Sequence, residues 1–383
     1  MDALPILDTR GRGMGSLRLS VTDRCNLRCG YCMPGENYTW MPAADLLSFE
    51  ELARVAGVFA GLGVRKVRLT GGEPLLRKNV ETLVGLLKAL GTFEEVAMTT
   101  NGLGLVDKAP ALRAAGLDRL TISLDSLQRE RVRSMSGRDS LAKVLAGLDA
   151  AAEAGFTGTK LDVVAMNGFN DDELVEFLVF GRLRGLEVRF IEYMDVLGAV
   201  DWSPDDVVSA RTMLGRIADQ VGGAARPYGQ RGSAPAARLE LPEGARVQLS
   251  DQAWERLDGV TSGALSAGGA GIDCTTRTVA LGGLVFGIIA STTEPFCADC
   301  DRSRVTADGR WYGCLYAREG VDLRAPLRAG ASEAELGELL GGLWMARADR
   351  GAEERLAEEG RRAAATRDEL ARDHHLEMHK RGG

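Results

Sequence analysis

No run in this 383-residue chain approaches the roughly 18 apolar residues of a membrane-spanning helix; the longest candidate, GLVFGIIA, is strand-sized. The opening MDALPILDTRGRGMG has no apolar signal core, so a cytoplasmic protein is expected. Basic excess is also missing. Forty-seven Lys and Arg face 54 Asp and Glu, a formal charge of −7, which argues against a protein that coats nucleic acid. An anion site must then be built from particular arginines. Histidine is scarce: His374, His375 and His379 all sit in a charged tail, where a surface location is expected.

Metal chemistry therefore falls to cysteine. A cytoplasmic chain keeps thiols reduced, and six of its seven cysteines form two triplets, so they read as metal ligands before disulfides. Cys25, Cys29 and Cys32 form C-x3-C-x2-C, with Tyr31 directly before the third. Structural zinc favours paired C-x2-C units with four ligands, whereas three thiolates on a four-iron cluster leave one iron open. Cys297, Cys300 and Cys314 form the second triplet, which taken alone is also three-quarters of a zinc ribbon. Each triplet lacks one ligand, which suggests two clusters presenting open irons to two small molecules. Cys274 is left over and reads as a buried thiol.

Six β-branched runs, LRLSVT (17 to 22), KVRLT (66 to 70), EVAMTT (95 to 100), RLTISLD (119 to 125), TKLDVVAM (159 to 166) and EVRFIEYM (187 to 194), alternate with helical stretches. Ser48 with Glu51 marks a capping box. This rhythm implies right-handed crossovers and a parallel sheet. Six units are too few for a closed eight-stranded barrel, so the expected fold is α/β, a partial (β/α)6 TIM-like barrel over residues 1–200; an open doubly wound sheet is the alternative. Cys25 to Cys32, Gly71-Gly72-Glu73-Pro74, Asn101-Gly102 and Ser126 follow successive strands at one end, where barrel active sites are built. Residues 201–330 read as a second module carrying the second triplet, with an irregular insertion at 222–271, and 331–383 as a charged helical tail, lightly docked or flexible, ending Gly382-Gly383.

The motif set LRLSVTDRCNLRCGYCMP, VRLTGGEPLLR, TTNG, TISLDS, RFIEYMD, STTEPFCADCDRSRVTADGRWYGCLY and a terminal Gly-Gly resembles the radical S-adenosylmethionine (SAM) superfamily. Within it, the set is similar to the GTP 3′,8-cyclases that start molybdenum cofactor biosynthesis, across residues 14 to 200 and 285 to 328. The resemblance implies two [4Fe–4S] clusters, and a C-terminal iron–sulfur module closing the open side of the barrel. It places SAM against Tyr31, Gly72, Glu73, Ser123 and Met194, with Glu73 on the methionyl amine. GTP would meet Arg18, Lys66, Arg68, Thr99, Lys160, Arg189, Arg302, Ser303 and Arg304, the planar guanidiniums suiting a triphosphate. Gly382 and Gly383, which by themselves read as a disordered terminus, would enter the barrel and contribute to the radical step. Implied partners are a flavodoxin- or ferredoxin-like electron donor and cyclic pyranopterin monophosphate synthase, which takes the product; neither nucleic acid nor membrane is implied, and a homodimer is compatible.

Two rivals remain at this level. A radical SAM enzyme that modifies peptides would carry an auxiliary cluster but have no use for Arg302 and Arg304. A zinc-binding regulatory protein would leave the GGEP loop unexplained.

Overall fold

The six runs become parallel strands: β1 (Ser16–Ser20), β2 (Lys66–Thr70), β3 (Glu95–Thr100), β4 (Arg119–Ser123), β5 (Lys160–Ala165) and β6 (Glu187–Glu192). The structure is a computed structural model and describes residues 6–33, 38–196, 199, 201–227, 237–261, 272–273 and 278–382. The strands are joined by helices α1 (Phe49–Gly61), α2 (Val80–Ala89), α3 (Leu105–Ala114), α4 (Arg129–Ser136), α5 (Leu141–Glu153) and α6 (Leu174–Arg184). Ser48 caps α1 as its sequence marks: Glu51 N–H donates to Ser48 Oγ at 3.1 Å, and Ser48 N–H to Glu51 Oε2 at 2.7 Å.

Side-chain alternation along the strands sorts core from site. Leu17, Leu19, Val67, Leu69, Leu120 and Ile122 are buried in the apolar core. Arg18, Arg68 and Arg119 stand on the opposite face, inside the curve. A charge in the middle of a strand is tolerated there because that face opens on a polar chamber instead of the apolar layer.

Beyond β6 come α7 (Ala210–Val221), the pair β7 (Arg226–Pro227) and β8 (Ala237–Glu240), then β9 (Arg246–Gln248), α8 (Asp251–Thr261), β10 (Ile272–Asp273) and β11 (Thr278–Ala280). The described part of 222–271 is therefore built into the fold rather than irregular: β8 pairs with the main sheet and β9 with β11. Strands of two to four residues are too short to show a period in sequence. Cys274 lies outside the described residues.

Two later strands extend both edges of the six. β12 (Val285–Ile289) runs parallel to β6, and β13 (Arg302–Val305) runs parallel to β1. Among the described residues eight strands are thus parallel within a twelve-stranded sheet, and β12 and β13 are not neighbours in it. The connection between them, residues 290–301, carries Cys297 and Cys300. Two short antiparallel strands, β14 (Arg310–Tyr312) and β15 (Val321–Asp322), follow β13.

The tail is docked, not loose. After α9 (Arg324–Arg328), helix α10 (Glu333–Met345) buries Leu336, Leu340 and Trp344, and Trp344 Nε1–H donates to Arg12 O at 2.9 Å. The last stretches, α11 (Gly351–Leu356), α12 (Arg367–Arg372) and two 3-10 turns, are held largely by buried polar groups: His379, Lys380 and Arg381 are each no more than 3% exposed. Counting apolar positions could not foresee that. Buried His379 also corrects the expected surface location, while His375 stays half-buried, with Nε2 2.8 Å from Asp308 Oδ2. Among the described residues no helix is long and apolar enough to cross a membrane.

Candidate active site

The loop that follows β1 winds tightly around its cysteines. Cys32 and Met33 N–H both donate to Cys29 O, at 2.9 and 2.8 Å, and Leu27 N–H points at Cys25 Sγ at 3.4 Å. Burial, the Asp125 carboxylate and the neighbouring thiols push Cys29 well above the ordinary thiol range; burial and Cys25 do the same to Cys32. Three such thiols stay ionised together only around a compensating cationic centre, which suits an iron–sulfur cluster. Among the described residues no three His, Cys, Asp or Glu side chains close on a single ion; the corner ligands of a cubane stand farther apart than those of one ion.

The GGEP loop braces this cysteine loop. Gly72 N–H donates to Thr22 O at 2.8 Å and Glu73 N–H to Arg24 O at 2.7 Å. A Cβ at Gly72 would collide with Arg24 O, so glycine is required for the approach of these two backbones. Glu73 departs from its expected place on a methionyl amine. Its carboxylate is 2% exposed and accepts from Thr100 Oγ1 at 2.7 Å, Asn101 N–H at 2.7 Å and Leu75 N–H at 3.0 Å. Burial nevertheless raises its pKa to about 6. Glu73 is a strut tying the ends of β2 and β3 together.

Inside the curved sheet lies a chamber of about 420 Å³. Among the described residues ten Lys or Arg side chains line it against five carboxylates, a local basic excess in an acidic chain. Strand register sets Arg304, Arg18 and Arg68 in one layer across β13, β1 and β2. Like charges side by side on neighbouring strands repel. Burial, then Arg304, Arg302 and Arg68, push the Arg18 guanidinium well below its usual range, and burial with Arg302 lowers Arg304 to about 9. Farther along, Arg68 donates to Thr121 Oγ1 at 2.9 Å and Thr99 Oγ1 at 3.3 Å, Arg189 Nε–H to Asp162 Oδ1 at 2.7 Å, and Lys160 Nζ lies 3.2 Å from Glu187 Oε1. A polyanion is the ligand that such a layer is short of.

Of the residues expected around GTP, Arg18, Lys66, Arg68, Thr99, Lys160, Arg189, Arg302 and Arg304 all line this chamber. Ser303 does not. It is fully buried and its Oγ accepts from Trp311 Nε1–H at 3.2 Å, because strand alternation turns it away from Arg302 and Arg304. Of those expected around SAM, Tyr31 and Met194 line the chamber and pack together with Tyr193, and Tyr31 O–H donates to Asp125 Oδ2 at 2.8 Å. Ser123 ends β4 on the same face as Thr121 but is not among the lining side chains, and neither are Gly72 and Glu73. Arg12, Arg119, Asp162 and Arg347 line the chamber without having been expected. Arg119 and Asp162 share the inward alternation of Arg68, a signal that was there to use; Arg12 and Arg347 lie outside any strand pattern.

The second triplet forms the opposite wall, since Cys297, Cys300 and Cys314 all line the chamber. Backbone N–H groups of Ala352 and Glu353 stand near Cys297, that of Arg302 near Cys300, and those of Gly351 and Tyr316 near Cys314. A Cβ on Gly351 would stand 3.0 Å from Cys314 Sγ, so this position leaves room only for hydrogen. Burial raises the Cys300 thiol, but Arg302 and Arg347 outweigh it and bring it down to about 7; burial and Asp349 lift Cys314 to about 11. Thiolates wrapped in N–H donors are the environment in which a cluster is held and tuned.

The tail ends in the chamber's basic layer. Arg18 Nη1–H donates to Gly382 O at 2.6 Å, Arg304 Nη1–H to Gly382 O at 2.9 Å and Arg381 O at 3.0 Å, and Ser20 Oγ–H to Lys380 O at 2.9 Å. Gly382 takes φ +66, and a Cβ there would collide with Thr70 Oγ1. Gly383 lies outside the described residues.

Two family models match this chain, the Radical SAM superfamily over residues 19–181 and Molybdenum Cofactor Synthesis C over residues 270–353. GTP 3′,8-cyclase 3 of Mycobacterium bovis is 46% identical across 99% of this chain and 91% of its own length. GTP 3′,8-cyclase 1 of Mycobacterium tuberculosis is 46% identical across 99% and 95%, and the GTP 3′,8-cyclase of Corynebacterium glutamicum 39% identical across 88% and 82%. Among solved structures, Streptococcus suis SuiB bound to S-adenosylmethionine superposes with a TM-score of 0.52 at 14% identity, covering 89% of this chain and 71% of that one. That likeness speaks for the fold alone. Similarity over nearly the whole length establishes that this chain belongs to the GTP 3′,8-cyclases of the radical SAM superfamily.

Proposed function

We propose that this protein converts GTP to 3′,8-cyclo-7,8-dihydro-GTP by radical SAM chemistry, the first step of molybdenum cofactor biosynthesis. The observation that carries this reading is the Arg304–Arg18–Arg68 layer lying between Tyr31 and Met194 on one side and Cys297, Cys300 and Cys314 on the other.

Cys25, Cys29 and Cys32 would hold one [4Fe–4S] cluster, and the second triplet another. When bound, the first would supply the electron for reductive cleavage of SAM, and SAM the hydrogen-abstracting 5′-deoxyadenosyl group that allows C3′ of GTP to bond to C8, one further electron and one proton balancing the product. Everything else falls to the chain's own groups. Arg18, Arg68, Lys160, Arg189, Arg302 and Arg304, with Lys66 at the rim and Thr99 on β3, neutralise and orient the triphosphate. Tyr31, fixed through Asp125, and Met194 bound the SAM end, with Ser123 beside them. Gly382 sets the tail carbonyls on Arg18 and Arg304, so those two guanidiniums serve tail and triphosphate together; Gly383 belongs to the same tail. Residues 1–200, 201–330 and 331–383 divide as barrel, second-cluster module and tail. The partners are GTP, a flavodoxin- or ferredoxin-like donor and cyclic pyranopterin monophosphate synthase, in a monomer or homodimer within the cytoplasm.

The test is anaerobic incubation of the reconstituted protein with SAM, dithionite and GTP. Formation of 5′-deoxyadenosine matched by loss of GTP is expected; 5′-deoxyadenosine formed while GTP remains intact sinks the reading.

A further inference from the structure

Two arginines from opposite ends of the chain meet behind the second cysteine triplet. Arg12 and Arg347 are each 5% exposed. Arg12 Nη1–H donates to Cys297 O at 2.8 Å and Asp349 O at 3.0 Å, and Arg347 Nη1–H donates to Cys300 O at 2.9 Å. Each has its own carboxylate: Arg12 Nε–H donates to Asp8 Oδ2 at 2.6 Å, and Arg347 Nε–H to Asp349 Oδ2 at 2.9 Å. Arg347 Nη1 also lies 3.8 Å from Asp8 Oδ2, so the two pairs form one charge-balanced group of four. In it both guanidiniums reach the carbonyls of the cysteine loop, while Asp349 also lines the chamber near Cys314.

One donor is left over. Arg12 Nη2 is fully buried and has no acceptor among the described residues, although the residue lines the chamber beside Cys297, Cys300 and Cys314. Leaving a buried, charged donor unpaired is costly, because it forfeits the hydrogen bond it would make to water. A site built with a spare N–H behind three thiolates is a site short of one acceptor, and the sulfide and thiolate sulfurs of a cluster are acceptors.

We propose that Arg12 and Arg347 are positioning residues of the second cluster: they fix the Cys297–Cys300 loop through its carbonyls, and Arg12 Nη2–H donates to a sulfur of the bound cluster. The pair sets the cluster's reduction potential, because added positive charge and N–H···S bonds favour the reduced state. Removing one arginine leaves its aspartate uncompensated and shifts the potential more negative. Removing Asp8 instead leaves a surplus positive charge and shifts it more positive.

This inference rests on the reading that Cys297, Cys300 and Cys314 hold a [4Fe–4S] cluster. The experiment uses the full chain with Cys25, Cys29 and Cys32 replaced by Ala, without GTP, reconstituted with iron and sulfide. The midpoint potential is followed by electron paramagnetic resonance for this parent and for Arg12→Gln, Arg347→Gln and Asp8→Asn in the same background. Potentials moved down by either arginine substitution and up by Asp8→Asn are expected; a purely structural role would not give opposite signs. Should Arg12→Gln fail to accumulate, Arg347→Gln carries the same test through Cys300. A parent signal unmoved by any substitution, or moved in one direction by all, overturns the inference alone. A parent that holds no iron–sulfur signal overturns the cluster reading and the inference with it.

Discussion

Arg18 and Gly382, separated by 364 positions in the chain, are joined by a 2.6 Å hydrogen bond from the guanidinium to the glycine carbonyl. Arg304 donates to the same carbonyl from the neighbouring strand. Two charges that repel each other within the basic layer thus share one backbone acceptor, which ties Gly382 to that layer.

Gly382→Ala tests that relation. The left-handed φ of +66 costs an alanine about 1–2 kcal/mol, before the collision of its Cβ with Thr70. The tail should leave the arginines and GTP turnover fall by at least about tenfold. Iron content should be unchanged. Full turnover in this variant would remove the tail from the reaction.

Arg304→Ala removes a buried charge from the β13 end of the layer. Each hydrogen bond between a charged group and an anion contributes about 1.5–3 kcal/mol, so GTP binding should weaken by roughly ten- to a hundredfold. Calorimetric titration of the anaerobic protein reads this directly. Loss of the first cluster's spectrum in the same variant would contradict the role assigned.

Lys160 gives GTP binding a pH dependence of definite sign. Burial, then Arg189, lowers its ammonium to about 8 in the free chamber. A bound triphosphate favours the protonated form, so binding takes up a proton above that pH. Affinity should hold steady below pH 8 and fall by up to about tenfold per unit above it. Lys160→Arg, charged throughout, should flatten that decline. Equal slopes in the two proteins would exclude Lys160 from the phosphate site.

Glu73 makes a prediction about stability. Its pKa rises on folding from 4.5 to about 6, because burial outweighs three hydrogen bonds. The folded state therefore holds the extra proton between those values, and this group's contribution falls as pH climbs from 4.5 to 6. Glu73→Gln does not titrate. The stability difference between wild type and variant should move in favour of the wild type by roughly 1 kcal/mol as pH drops from 6 to 4.5, and by about 2 kcal/mol over the whole titration. Parallel urea-denaturation profiles across that window would show Glu73 to be well solvated.

Asp195 fastens the tail. Its fully buried carboxylate accepts from Arg355 Nε–H, Arg361 Nε–H, Arg361 Nη2–H and Tyr316 O–H, all at 2.8 Å. Asp195→Ala leaves Arg361 without a carboxylate, with Arg355 keeping Glu358, and should cost about 3–5 kcal/mol, borne mainly by the segment from α11 onward. Trypsin should then cut beside Arg361 and Arg362 while the barrel remains intact. A variant as trypsin-resistant as the wild type would show that other contacts hold the tail.

The sequence by itself determined what is local. Cysteine spacing, the six β-branched runs and the Ser48–Glu51 capping box each depend on residues a few positions apart, and the chain's own geometry carries them into the fold. Strand alternation likewise placed Arg18, Arg68, Arg302 and Arg304 on one face, and applied strictly it would also have excluded Ser303. The role of Glu73 was not legible, because its three donors come from two different loops. The polar docking of residues 351–382 was hidden as well, since apolar patterning does not register a segment fastened by buried ions.

Only the tertiary structure decided which distant pieces share the chamber. It brought β12 and β13 to opposite edges of the six-stranded core and Gly382 to Arg18. It also set Arg12 and Arg347 behind the same two cysteines. The physical reason is that such contacts are selected by the burial and charge balance of the whole chain, and no local pattern carries that information.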